Sequence, residues 1–271
     1  MKKSIFFFLV SSILKAQIVV SPLSLNLDHQ NKIGNYLIKN NSNKPYEISI
    51  SLNYGYAKTD TLGNLFFYYP DSIDNDRKFS CVEWINFFPK KILLQPNEKQ
   101  IIRFSANPPR DLEYPFYFAR ISVFSQEAEP FKAAQSQGLT AKIKIAIKQN
   151  TSLIFQNRRV DEFFIVDTVL NIYKDQKILV VKLFNPKMII YGGIAKLNLF
   201  EEQNMLFSFN SPLKVYASDY YLKFDLTEAV IQNILKAKWA QLEFSQDVEE
   251  GDMQQSKIIK LERFKPIYQL K

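Results

Sequence analysis

Along most of this chain, apolar and polar residues alternate with a period of two, and that rhythm restricts it to strands. Leu139, Ala141, Ile143, Ile145 and Ile147 would all lie on one face of an extended segment. Successive side chains of a strand point to opposite faces, so a sheet with one buried face needs this pattern. Ile48, Ile50 and Leu52 repeat it, and residues 178–184 repeat it again. Further strands are predicted over residues 18–27, 35–38, 65–69, 82–88, 92–94, 99–106 and 114–124. Polar turns separate them, such as residues 40–45 and Gln95-Pro96-Asn97-Glu98. About seven to nine short strands followed by a second set is the arithmetic of sandwiches. The expected fold class is all-β, with two immunoglobulin-like sandwiches in tandem. One segment departs from period two. Asp225-Leu226-Thr227-Glu228 reads as a capping box that opens a short helix to about residue 236, in the second sandwich.

The division of the chain follows from its punctuation. Met1-Lys2-Lys3, an apolar stretch from Ser4 to Leu14 and the small residue Ala16 form a secretory signal peptide, residues 1–16. Cleavage near Ala16 would leave Gln17 first and about 255 residues to fold. Gln149-Asn150-Thr151 reads as the break between a first sandwich over 17–148 and a second over 149–271. The polar segment 125–138 reads as a long loop. An exported, periplasmic location is expected. Cys81 is the only cysteine, so no internal disulfide can form and the apolar cores carry the stability. The formal charge of +8 falls to +5 once Lys2, Lys3 and Lys15 leave with the leader. Residues 17–148 hold +4 of it and residues 149–271 hold +1. Export argues against nucleic acid as the partner of that basic half.

Chemistry-bearing patterns are sparse, and the chain is not expected to be an enzyme. The single histidine, His29, sits in a polar turn beside Asp28 with no nucleophile motif to serve. No spacing of ligand residues suggests a metal, and no Gly-rich loop suggests a phosphate. Neither cofactor nor small-molecule substrate is expected. Asn40-Asn41-Ser42 and Asn150-Thr151-Ser152 are formal glycosylation sequons that read as turns.

Residues 94–148 carry more information. Leu94-Gln95-Pro96-Asn97-Glu98 leads into a strand with Arg103 at its centre. Phe116-Tyr117-Phe118 is an aromatic strand, and Ala141-Lys142-Ile143-Lys144-Ile145-Ala146-Ile147-Lys148 a closing one. With the turn at residues 40–45 before Tyr46, these features in this order resemble the PapD-like periplasmic chaperones of usher-pathway pilus assembly. The resemblance covers about residues 18–150. It implies a chaperone that caps secreted pilus or surface-fibre subunits by β-strand donation. Its partners would be pilin-like subunits and an outer-membrane usher.

The same resemblance assigns residues. Lys144 matches the lysine that binds the client's terminal carboxylate, and Arg120 is a substitute for a second anchor, whose position falls on Ser24 here. Leu139, Ala141, Ile143 and Ile145 would form the donor strand. Glu113 and Lys148 stand where the family fixes the angle between its domains, although a lysine lacks the fork of the family's arginine. Gln135 and Gln137 depart from the large apolar residues of the family's donor segment. An alternative stays open: an immunoglobulin-like structural or adhesive module of the cell envelope with no chaperone activity.

Overall fold

The computed structural model describes residues 17–70, 75–128, 145–158, 168–173, 175–185, 187–215, 219–246, 256–261 and 267–268. The leader, residues 1–16, lies outside them. The first sandwich opens with β1 (Ile18–Ser21), β2 (Ser24–Asp28), β3 (Ile33–Asn40) and β4 (Tyr46–Asn53). A hairpin of β5 (Tyr56–Thr59) and β6 (Leu65–Tyr68) follows. Then come β7 (Ile85–Phe88), β8 (Lys91–Leu94), β9 (Lys99–Ala106), β10 (Phe116–Glu127) and β11 (Ala146–Gln156). One sheet has the order β1-β3-β9-β7 and the other β2-β11-β10-β4-β8. The first extended segment is therefore shared: β1 pairs antiparallel with β3, and β2 crosses to pair in parallel with β11.

Alternation explains the core. Tyr36, Ile38, Ile102 and Phe104 face inward from one sheet, and Ile48, Ile121, Val123, Leu153 and Phe155 from the other. All are at most 2 % exposed. β10 is different, because Phe116 to Val123 are buried without a break. One face of it meets this core. On the other face, Phe116 and Phe118 join Tyr54 and Tyr56 with Met188 and Ile189 of the second sandwich in a separate apolar cluster.

The β5–β6 hairpin helps to cover that second face and also reaches the second sandwich. Asp60 builds its turn, with Oδ1 accepting from the amides of Leu62 at 2.9 Å and Asn64 at 2.8 Å. Gly63 has φ +79°, and a Cβ there would come within 2.6 Å of Lys223 Cβ. Only glycine satisfies both the left-handed backbone and the close approach.

The second sandwich contains β12 (Thr168–Tyr173), β13 (Ile178–Phe184), β14 (Tyr191–Glu201), β15 (Asn204–Val215) and β16 (Asp219–Asp225). After them come α1 (Glu228–Asn233), β17 (Trp239–Gln246), β18 (Ser256–Leu261) and β19 (Ile267–Tyr268). Its sheets run β16-β13-β12-β19 and β15-β14-β17-β18. The chain is thus all-β, two sandwiches as its alternation predicts, with one short α-helix in the second among the described residues.

Several local expectations are corrected. The break placed at residue 149 falls inside β11, which pairs with β10 as far as Gln156. Gln149, Asn150 and Thr151 look like a turn because they are polar, yet each polar side chain has a partner across the sheet or core. Gln149 Nε2 donates to Ile18 O at 3.1 Å, and Ser122 Oγ donates to Asn150 Oδ1 at 2.7 Å. Thr151 Oγ1 lies 2.9 Å from Tyr36 Oη inside the core. The second sequon is therefore a strand as well. Residues 82–84 form a 3-10 turn instead of a strand. This brings Trp84 edge-on to Phe155 at 4.8 Å. The helix is capped at Thr227, not Asp225, which ends β16, and no side chain completes the cap. Glu228 instead pairs with Lys177 at 2.9 Å.

Candidate functional site: an open strand edge beside a basic cleft

The two halves of β11 have different neighbours. Ser152 to Gln156 lie between β10 and β2. Ala146 to Thr151 pair with β10 alone among the described residues. The amide of Ser152 donates to Leu23 O at 3.0 Å, which marks where the flanking chain joins. Strand alternation then directs the amides of Ala146, Lys148 and Asn150 to the same side, along an edge that no described strand occupies. Apolar side chains lie along this edge: Ile145 is 72 % exposed and Ile147 39 %. An open edge with such side chains is a template for adding another strand.

Arg120 closes one end of it. Its side chain crosses the outer face of β11, with Nη1 donating to Ser152 Oγ at 2.5 Å and Nη2 to Asn150 O at 3.1 Å. The guanidinium lies 4.0 Å from the centre of the Phe67 ring, and the residue is 3 % exposed. Arg120, expected to hold a client carboxylate, is thus enclosed and engaged with the strand itself. Burial and the fixed fork of its donors make it a brace for Asn150.

A cleft opens on the same face. Asn53, Tyr54, Tyr69, Pro70, Arg77, Lys148 and Asn150 line a cavity of about 420 Å³. Among the described residues its lining brings two cations, Arg77 and Lys148, together with amide and phenol groups. Arg77 carried no signal in the sequence, since it lies in a polar stretch that matches no motif.

Glu113 and Lys148 are not brought together. Lys148 pairs in register with Phe124, whereas Glu113 precedes Phe116, which pairs with Gln156. Eight residues of strand, about 27 Å, separate those levels. At the end where Glu113 lies, Arg158 Nη2 donates to Glu113 O at 3.1 Å and Asn157 Nδ2 to Leu112 O at 3.0 Å. Arg158 was overlooked because the closing strand was read as ending at Lys148. Ile145 is at the described start of the open half. Lys144, Leu139, Ala141 and Ile143 lie outside the described residues, as do Gln135 and Gln137.

No group of His, Cys, Asp and Glu among the described residues could hold a metal ion. Cys81 is fully buried, and loss of solvent pushes its thiol far up, away from the reactive thiolate. His29 sits 2.8 Å from Asn157 Oδ1 and edge-on to Phe155 at 5.3 Å. No described helix is long and apolar enough to cross a membrane.

No family model matches the chain, and no curated protein does. Solved structures do. Among the solved structures it resembles are several chaperones. The YadV chaperone is 12 % identical, with 90 % of this chain and 100 % of that one covered and a TM-score of 0.48. The class 5 fimbriae chaperone CfaA is 14 % identical, with 90 % and 98 % covered and a TM-score of 0.46. The SafA pilin–SafB chaperone complex of Salmonella enterica gives 11 %, with 89 % and 96 % covered and a TM-score of 0.46. The fold described above rests on this chain's own strand pairing, independently of that likeness.

Proposed function

We propose that this protein is an exported, periplasmic chaperone that holds secreted pilin-like subunits by pairing a strand of theirs with the open edge of β11. The one-sided pairing of Ala146 to Thr151 carries this reading. Backbone groups of Ala146 and Lys148 would supply affinity, and alternating side chains, from Ile145 back through Ile143, Ala141 and Leu139, would supply specificity. Lys144 remains the proposed anchor for the client's carboxylate. Lys148 and Arg77 in the adjoining cavity offer a second cationic position. Arg120 is assigned to the edge instead, as the brace of Asn150. Glu113 and Lys148 are not proposed as a pair.

The test is recovery of the protein from periplasm after expression with its leader and with the secreted β-rich subunits of its own source. A stoichiometric small partner, released only by denaturant, is expected, along with an intact mass that begins at Gln17. Hydrogen exchange at residues 145–150 should slow when the partner is bound. Lys144→Ala should leave the fold intact and weaken the partner by roughly tenfold to a hundredfold, the loss of a charge-assisted contact. Recovery of the chain alone, with no change in exchange for any secreted subunit, would favour an envelope module without chaperone activity.

A further inference from the structure

The outer face of the β1-β3-β9-β7 sheet points away from the core and is covered by nothing among the described residues. Its side chains follow from register. Leu37 lies opposite Ile101 at its centre. Lys39 lies opposite Lys99 on one side, and Arg103 lies beside Phe88 on the other. Phe88 is 77 % exposed and Ile101 54 %. None of the outward residues of these four strands is acidic. The neighbouring carboxylate in sequence, Glu98, is folded back, with its Oε2 accepting from the amide of Gln95 at 2.7 Å. Lys39, Lys99 and Arg103 form no ion pair among the described residues.

Two facts make this more than a solvated surface. Like charges directly opposite each other across a sheet repel, so the Lys39–Lys99 pair is stabilised by an anion from outside. The cations also bracket an apolar centre, with about 13 Å of strand between Lys99 and Arg103. We propose that this face docks an acidic protein surface, one that presents an apolar side chain between carboxylates to Leu37 and Ile101. Four strands at about 4.8 Å spacing give a width of roughly 20 Å, the scale of a small transient interface. A second copy of the chain would bring like charges together. A lipid surface is the other occupant, which the test distinguishes. The inference is independent of strand addition at β11, which belongs to the other sheet.

The probe is a fluorescein-labelled synthetic peptide with aspartates flanking a Leu-Phe-Leu centre, titrated into the mature protein by anisotropy and by amide chemical shifts. Binding should weaken with salt and shift the amides of Leu37, Lys39, Lys99 and Ile101. Lys39→Gln with Lys99→Gln should weaken it about tenfold, the loss of two exposed ion pairs, and Ile101→Ser should weaken it further. Both changes are exposed and should leave the protein folded, with the thermal midpoint of the double glutamine variant equal or slightly higher, since the Lys39–Lys99 repulsion is relieved. Absence of binding, shifts on another face, or equal binding by the variants would overturn the proposal. So would pelleting of the protein by phosphatidylglycerol vesicles together with indifference to the peptide, which would assign the face to membrane.

Discussion

The C-terminal half of β11 is built as a core strand, and its N-terminal half as an edge. From Ser152 to Gln156 it has hydrogen-bonded neighbours on both sides, and Leu153 and Phe155 are fully buried. From Ala146 to Asn150 it has one neighbour among the described residues, and every residue but Gln149 is exposed. The same backbone conformation therefore supports two tasks. The buried half fixes the strand in the sandwich. The other half is held straight by β10 while its second side stays available, so an added strand need not pay for ordering it.

The contrast is broken most severely from the buried half. Phe155→Ala should destabilise the protein by about 3–5 kcal/mol, since it empties a fully enclosed site beside Trp84. Ile147→Ala, at a site 39 % exposed, should cost under about 1 kcal/mol. Urea unfolding of the two variants measures the difference, and equal losses would mean that both halves are equally part of the core.

Proline sharpens the comparison within the open half. Gln149 has its amide directed toward β10 by alternation, so Gln149→Pro should cost about 2 kcal/mol or more by leaving a carbonyl of β10 without its donor. Lys148→Pro removes an amide from the open edge and should cost clearly less, while abolishing any added ladder there. If the two prolines are equally costly in urea unfolding, the direction assigned to the edge is wrong.

A smaller effect is expected where the halves meet. Arg120 reaches Ser152 and Asn150 together because its donors form a fork. Arg120→Lys can keep only one of those bonds and should cost about 1–2 kcal/mol. Faster exchange localised to Asn150 and its neighbours would separate a brace from a general packing role.

The smallest effect depends on pH and belongs to β2, the partner of the buried half. Asp28, opposite Gln156, accepts from the amides of Asn31 at 2.5 Å and Gln30 at 2.7 Å. The Asn31 amide chiefly, helped by its side chain and by Gln30, holds this carboxyl below the usual range against modest desolvation. A folded pKa below the unfolded one gives stability that is fully present above about pH 4 and is lost as pH falls through the lower folded value. The urea midpoints of the protein and its Asp28→Ala variant should therefore differ at about pH 6, and the gap should narrow as pH falls below about 4. A constant gap would mean that the turn does not need the charge.

How far the sequence revealed all this depends on which physical signal each element leaves. Tyr46–Asn53 was legible because burial of one face imposes alternation, whereas Ile178–Phe184 was legible as a short apolar run buried on both faces at its start. Thr168–Tyr173 and Asp219–Asp225 were not found, since the first is short and lacks turn residues in the expected places and the second mixes Tyr, Lys and Asp. β11 was displaced by several residues because Asn150 and Thr151 satisfy their polar groups inside the sheet, whereas sequence reasoning assigns such groups to solvent. That displacement carried the site with it. Glu113 and Lys148, which the resemblance assigns together to the angle between domains, lie toward opposite ends of the β10–β11 ladder. The cavity residues Asn53 and Arg77 come from separate segments that only the folded sheet and hairpin bring together.

A link between the two sandwiches follows from the β5–β6 hairpin. Thr59 Oγ1 accepts from the amide of Tyr221 at 2.7 Å, joining residues 162 positions apart in sequence. Across the hairpin, Phe67 sits against the guanidinium of Arg120, and Arg120 holds the carbonyl of Asn150. The hairpin thus forms a continuous chain of contacts from the far sandwich through Thr59, Phe67 and Arg120 to the open edge.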